Sequence, residues 1–203
     1  MNTKELEQLL EAGVETQRID FKESCAWDVE KFAKDILAFS NVKDGGYIIV
    51  GIKQTSQYFE RKGILEEHKN TYVLDIMKDQ MAPCADPCVD FKVDFPNDKT
   101  GLPYVIIYVY EFEEVPVICK KDSVDTRKGI VYFRNRTRRW ESAPVSNSYD
   151  MRDIIERATV KIMRKFSKLG LLVPESLKIP KSKILLYELR DKKEYDEEIK
   201  DIL

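Results

Sequence analysis

Residues 28–52 constrain the fold more than any other stretch of the chain. From Asp28, apolar residues recur at three- and four-residue intervals through Val29, Phe32, Ala33, Ile36 and Leu37 to Ser40, the pattern of a helix with one buried face. The pattern runs out at Asn41, and Lys43-Asp44-Gly45-Gly46 turns the chain. Paired glycines permit a positive φ or a close backbone approach, and either can serve a phosphate. Tyr47-Ile48-Ile49-Val50-Gly51-Ile52 then runs apolar without interruption, as a strand covered on both faces does. A helix, a turn and a doubly covered strand require further layers, which the rest of the chain must supply.

The flanking segments have the patterns to do so. Thr3 is placed to cap a first helix with Leu6, Leu9 and Leu10 inside and Glu5, Glu7 and Glu11 outside, ended by Gly13. Arg18 to Lys22 alternates, so Ile19 and Phe21 share one face of a strand while Asp20 and Lys22 share the other. A helix is predicted from Glu66 to Met81, stopped by Pro83. Val89 to Phe95 and Tyr104 to Phe112 flank the turn residues 96–101 and read as an antiparallel hairpin. Ile130 to Arg134 is one more strand, and Ser148 to Leu169 a helix with Gly170 at its end. A charged helix follows Pro180, with Ile184, Leu185 and Leu189 on one side. This order predicts an α+β fold, a mixed or antiparallel sheet flanked by helices, over residues 1–160, with a helical C-terminal extension over 161–203.

Composition narrows the function. No apolar run in the 203 residues approaches the ~20 needed to cross a bilayer, and the N-terminal segment lacks a signal-peptide core. A cytoplasmic protein with no membrane partner is expected. Cys25, Cys84, Cys88 and Cys119 are scattered, which does not suggest a disulfide scaffold. Cys84 and Cys88 invite a zinc reading, but His68 is the only histidine and no second Cys pair completes a ligand set. Ser–His or Cys–His catalysis would also have to use His68, in a charged stretch where a solvent-facing helical residue is expected. No GxxxxGK[ST] or GxGxxG phosphate loop supports nucleotide hydrolysis.

Two constellations remain. Glu15, Asp20 and Lys22 bring two carboxylates and a lysine to one end of a strand. Such a group can hold a divalent cation beside a phosphate, or form an ordinary exposed ion pair. Lys120, Lys121, Arg127, Lys128, Arg134, Arg136, Arg138 and Arg139 place eight basic residues between positions 120 and 139 of a chain whose net charge is -2. Alternation would bring Tyr132, Arg134 and Arg136 to one face, with Trp140 as a stacking surface or a lid on the core. This is a candidate polyanion face, or a solvated basic hairpin.

In their order, Glu15, Asp20-Phe21-Lys22, Ala38-Phe39-Ser40-Asn41, Gly45-Gly46, Gly51-Ile52 and the late Phe133-Arg134-Asn135-Arg136-Thr137 resemble the Schlafen AlbA-like domain family. The resemblance runs from about Glu5 to Arg157. It implies nucleic acid, DNA or RNA, as the partner, since many prokaryotic members are described as DNA-binding domains. It also implies an alternative, because vertebrate members and some relatives are metal-dependent endoribonucleases acting on tRNA or other structured RNA through three carboxylates. The first two map onto Glu15 and Asp20, which would hold Mg²⁺ or Mn²⁺ with Lys22 beside them; binding alone requires no cofactor. The third position is Gln54, a neutral ligand where an anion is expected, and Asp20 is one methylene shorter than the family's usual Glu. A third reading is an interaction module. Apolar stripes around Ile154, Ile155, Ile162 and Ile184 are compatible with a homodimer or with internal packing.

Overall fold

The computed structural model describes residues 1–11, 13–55, 58–135 and 140–171. They fall in two compact units, Met1–Ile162 and Met163–Leu203. In the first, α1 (Thr3–Glu11) leads to β1 (Ile19–Lys22), α2 (Val29–Ser40) and β2 (Gly46–Val50). A small hairpin follows, β3 (Ile52–Gln54) with β4 (Phe59–Arg61), then the short helices α3 (Glu66–Lys69) and α4 (Leu74–Met81). Next come β5 (Ala85–Asp86), β6 (Phe91–Asp94), β7 (Val105–Val109), β8 (Ile118–Cys119), β9 (Tyr132–Arg134) and β10 (Ser142–Pro144). The last element is α5 (Ser148–Lys168). In the second unit the described residues end the helix: Leu171 N–H bonds to Phe166 O and Gly170 N–H to Ser167 O, with Gly170 at φ +73°. This pair of bonds is a Schellman cap, as the glycine predicts.

The central sheet has the order β1-β2-β7-β6, with β1 parallel to β2 and the other pairs antiparallel. The chain therefore has the expected α+β class. Phe32, Ala33, Ile36 and Phe39 of α2 pack on Ile48, Val50, Val105 and Ile107 on one face. Leu6 and Leu10 of α1 pack on Phe21, Ile49 and Ile106 on the other. Burying a side chain of this size stabilises by about 1.5–3 kcal/mol, so the doubly covered strand β2 carries much of the core.

Several elements differ from expectation for physical reasons. Asn2, not Thr3, caps α1: its side chain accepts from Glu5 N–H at 2.9 Å while Glu5 reaches back to Asn2 N–H at 2.9 Å. The apolar run after Tyr47 breaks at Gly51, whose φ of +121° turns it into a second strand. The helix expected over 66–81 divides between Asn70 and Val73, which lets Tyr72 turn inward and donate to Cys25 O at 2.9 Å. His68 is half-buried rather than solvent-facing, with Nδ1 3.0 Å from Ser24 Oγ. The glycine turn serves packing: a Cβ on Gly46 would sit 2.1 Å from the Phe39 ring, and one on Gly45 2.0 Å from Val109 O. The space these glycines leave is filled by protein, not held open for a phosphate. On α5, Ile154 is buried and Ile155 exposed, while Ile184 and the helix expected after Pro180 lie outside the described residues.

α5 is fastened to the end of the sheet by Glu111, which meets Arg157 at 2.5 Å and Lys161 at 3.2 Å and accepts Asp44 N–H at 3.1 Å. Burial alone would push the Glu111 carboxyl up. The Arg157 hydrogen bond, the Asp44 N–H and the two cations outweigh it and hold the group below its usual range. A lowered folded value means that the stabilisation is present above the unfolded value and lost as pH falls through the folded one. In urea unfolding from neutral to acidic pH, Glu111→Gln is therefore expected to be less stable at neutral pH and to lose less on acidification than wild type. Parallel curves would remove Glu111 as the source of that pH dependence.

Candidate functional site

Strand β1 places Asp20 and Lys22 on the same side, as alternation requires, and the helix above completes the group. Lys22 Nζ lies 3.1 Å from Asp20 Oδ2 and 2.6 Å from Asp35 Oδ2 of α2, and 5.7 Å from the centroid of the Phe32 ring. Arg134 of β9 closes the other side. Its Nη1 donates to Asp20 Oδ1 at 2.8 Å and its Nη2 to Thr16 O and Ile19 O, each at 3.2 Å. The guanidinium lies 5.0 Å from the Phe39 ring centroid. Glu15 reaches back to accept Phe21 N–H at 3.1 Å.

This corrects the placement expected for the strand. Arg134 is 1% exposed and Tyr132 2%, so β9 presents neither to solvent. Arg134 is an internal counter-ion that joins β9 to β1. Alternation along a strand fixes which residues share a face, but not which face is covered.

Around this network is an open cleft of about 420 Å³. β1 and the segment before it contribute Glu15, Asp20 and Lys22, and α2 contributes Lys31, Lys34 and Asp35. The remaining wall is Asp125, Arg134, Trp140, Glu141 and Ser142. Burial and then the neighbouring Asp20 charge push the Glu15 carboxyl up. Burial and Asp35 likewise push Asp20 up, against the pull of Lys22 and Arg134. Burial alone would lower Lys22, but Asp35 and Asp20 outweigh it and keep the ammonium charged. Trp140 is half-buried at the rim with φ +61°, an uncommon conformation for a bulky residue and one that costs backbone strain.

Beside the cleft runs a basic loop. Lys120, Lys121, Arg127 and Lys128 are all exposed, and none forms an ion pair among the described residues. The loop is held by its own backbone: Ser123 N–H to Thr126 O at 2.8 Å, Lys128 N–H to Asp122 Oδ1 at 2.9 Å, and Arg127 N–H to the Tyr132 hydroxyl at 2.9 Å. Arg136, Arg138 and Arg139 lie outside the described residues. Lys31 and Lys34, which the sequence did not single out, face the cleft and have no ion-pair partner among the described residues.

The family model Schlafen, AlbA_2 matches residues 15–140, more than half of the chain and a span that includes Glu15, Asp20, Lys22, Asp35 and Arg134. The chain belongs to the Schlafen AlbA_2 family. Among solved structures, this Schlafen AlbA_2 chain is similar to the N-terminal domain of a RecG-related protein from Nitrosomonas europaea, at 19% identity and a TM-score of 0.47, covering 63% of this chain and 86% of that one. It is also similar to the DIP2311 protein from Corynebacterium diphtheriae, at 16% identity and a TM-score of 0.46, covering 74% of this chain but only 28% of that one. No curated protein matches the chain.

The Schlafen resemblance implies a divalent ion at Glu15 and Asp20, and the donor set does not fit one. Both Asp20 oxygens already face cations, one oxygen of Asp35 faces Lys22, and Glu15 Oε1 is taken by a backbone N–H. Gln54 is exposed on β3 and does not line the cleft, and neither does the nearby carboxylate of Glu60 on β4, which pairs with Lys62 at 2.6 Å. Among the described residues no group of three or more His, Cys, Asp or Glu is disposed to hold a metal ion. The four cysteines are free thiols. Among the described residues, no helix is long and apolar enough to cross a membrane.

Proposed function

We propose that this Schlafen AlbA_2 domain binds nucleic acid, DNA or RNA, by its phosphate backbone and without a metal cofactor. The observation that carries this reading is the cluster of exposed cations in one loop, Lys120, Lys121, Arg127 and Lys128, which have no ion-pair partner among the described residues, beside a cleft that adds Lys31 and Lys34. Other cations of the unit are consumed internally, among them Arg61 by Glu7, Arg157 and Lys161 by Glu111, and Lys22 by Asp20 and Asp35. Cations left unpaired in a fixed loop displace counter-ions from a phosphate backbone without first breaking an internal ion pair. The basic residues Arg136, Arg138 and Arg139 extend the same segment in sequence. In this reading Glu15, Asp20 and Lys22 shape the cleft wall instead of carrying chemistry.

The test is a salt titration of binding to a DNA duplex and to tRNA. Trp140 at the cleft rim provides an intrinsic fluorescence signal once Trp27 is replaced by Phe. Replacing Lys120, Lys121, Arg127 and Lys128 together by Ala is expected to leave stability nearly unchanged, because exposed substitutions away from special features stay within about 0.5 kcal/mol each. Binding should weaken, and the slope of log K against log salt should flatten by about 0.9 for each duplex phosphate that is no longer neutralised. An unchanged affinity and slope would assign the interface to another surface.

A further inference from the structure

We infer that Lys22 is the resident cation of the Glu15–Asp20–Asp35 cluster and that its ammonium group keeps divalent metal ions out. This does not depend on nucleic-acid binding; it concerns the same cleft wall but has its own readout.

Charge balance is the starting point. Three carboxylates meet two cations, and each cation is fixed from more than one direction. Lys22 Nζ sits 2.6 Å from Asp35 Oδ2 and 3.1 Å from Asp20 Oδ2, with the Phe32 ring beneath it. Arg134 holds the remaining Asp20 oxygen at 2.8 Å from a side chain that is itself 1% exposed. A divalent ion needs several oxygens drawn in to about 2.0–2.6 Å with open directions between them. Here both Asp20 oxygens and Asp35 Oδ2 already point at nitrogen-borne charge, and Glu15 Oε1 accepts a backbone N–H. An incoming ion would meet the Lys22 ammonium at close range in a partly buried site, where like-charge repulsion is weakly screened.

Asp20 Oδ2 leads to the same conclusion from the other side. It is enclosed, and the cation it faces is the Lys22 ammonium at 3.1 Å. It is a ligand atom held in reserve behind one lysine. Removing that lysine takes away the cation that Asp20 and Asp35 share and leaves two like charges on one cleft wall, an arrangement that a metal ion relieves.

The experiment is a Mn²⁺ titration of the full chain, read by the electron paramagnetic resonance signal of free Mn²⁺ and by thermal unfolding with and without the ion. Wild type is expected to show no saturable binding and no shift in its unfolding midpoint. Lys22→Met is expected to unfold at a lower temperature without metal, to bind Mn²⁺ tighter than wild type by about a hundredfold or more, and to regain stability when loaded. Adding Asp35→Asn to Lys22→Met should abolish the binding. Saturable binding by wild type that disappears in Asp20→Asn overturns the inference, as does a folded Lys22→Met that ignores Mn²⁺. Lys22→Gln supplies the same comparison should the methionine variant fail to fold. Loss of nucleic-acid binding in the basic-loop variant bears on the proposed function alone and leaves this result untouched.

Discussion

Arg134→Ala is expected to destabilise the domain by about 3–5 kcal/mol, the range for removing one partner of a buried ion pair. The cost is built from several losses. Asp20, 7% exposed, keeps only Lys22 as counter-ion and must share it with Asp35. Thr16 O and Ile19 O lose the donor that ties the chain before β1 to β9. A void opens beside the Phe39 ring where the guanidinium lay. Urea unfolding measures the change directly, and a loss under about 1 kcal/mol would mean that the pair is not holding the two strands together. Replacing both partners by apolar residues, Arg134→Met with Asp20→Leu, should be much milder than the single change, because no uncompensated charge remains buried. Arg127→Ala serves as the contrast, since that arginine is exposed and belongs to the binding loop. The two arginines lie seven positions apart in one basic segment, yet one is expected to affect folding and the other binding.

Sequence periodicity could not separate those two arginines. Where a pattern is long, as from Asp28 through Val50, it fixed both the element and its buried face, because many side chains must agree at once. The pairing of Asp20 with Lys22 was also legible, since the two-residue period of a strand leaves no other arrangement. β9 has only Tyr132–Arg134, and three residues cannot show that both faces are covered. The two- and three-residue strands β3, β4, β5, β8 and β10 were missed for the same reason. Asp35 is different, because a signal existed. It lies three residues after Phe32 and four before Phe39, on the apolar stripe of α2, and a carboxylate on that stripe has to meet a cation or lose its charge. Reading that anomaly would have placed an acid of the cleft on the helix, beside Lys22. The basic loop was legible from composition, since exposed charge needs no periodicity to be seen.

Asn41→Ala is expected to cost about 3–5 kcal/mol, comparable to the loss at Arg134, although no charge is involved. Asn41 is 0% exposed and ends α2 where three segments converge. Its Nδ2 donates to Leu37 O at 3.2 Å, Val117 O at 2.8 Å and Tyr132 O at 3.0 Å, and its Oδ1 accepts Val117 N–H at 2.9 Å. Each bond adds only about 1 kcal/mol net, but removing the amide strands buried backbone groups that water cannot reach, at about 1–3 kcal/mol apiece. Asn41→Asp distinguishes this account from simple loss of volume. The carboxylate has nearly the same shape and can still accept Val117 N–H, but it turns an acceptor toward three carbonyl oxygens. It should therefore be at least as damaging as alanine at neutral pH and should recover partly in acid, where the protonated carboxyl regains one donor. If the residue merely filled space, aspartate would be nearly neutral and show no such recovery. Hydrogen exchange at Val117 N–H gives a local reading of the same claim. Protection at that amide should fall in Asn41→Ala by more than at Ile107, deep in the central sheet, because Val117 depends on the side-chain oxygen and Ile107 on a strand ladder that the substitution does not touch.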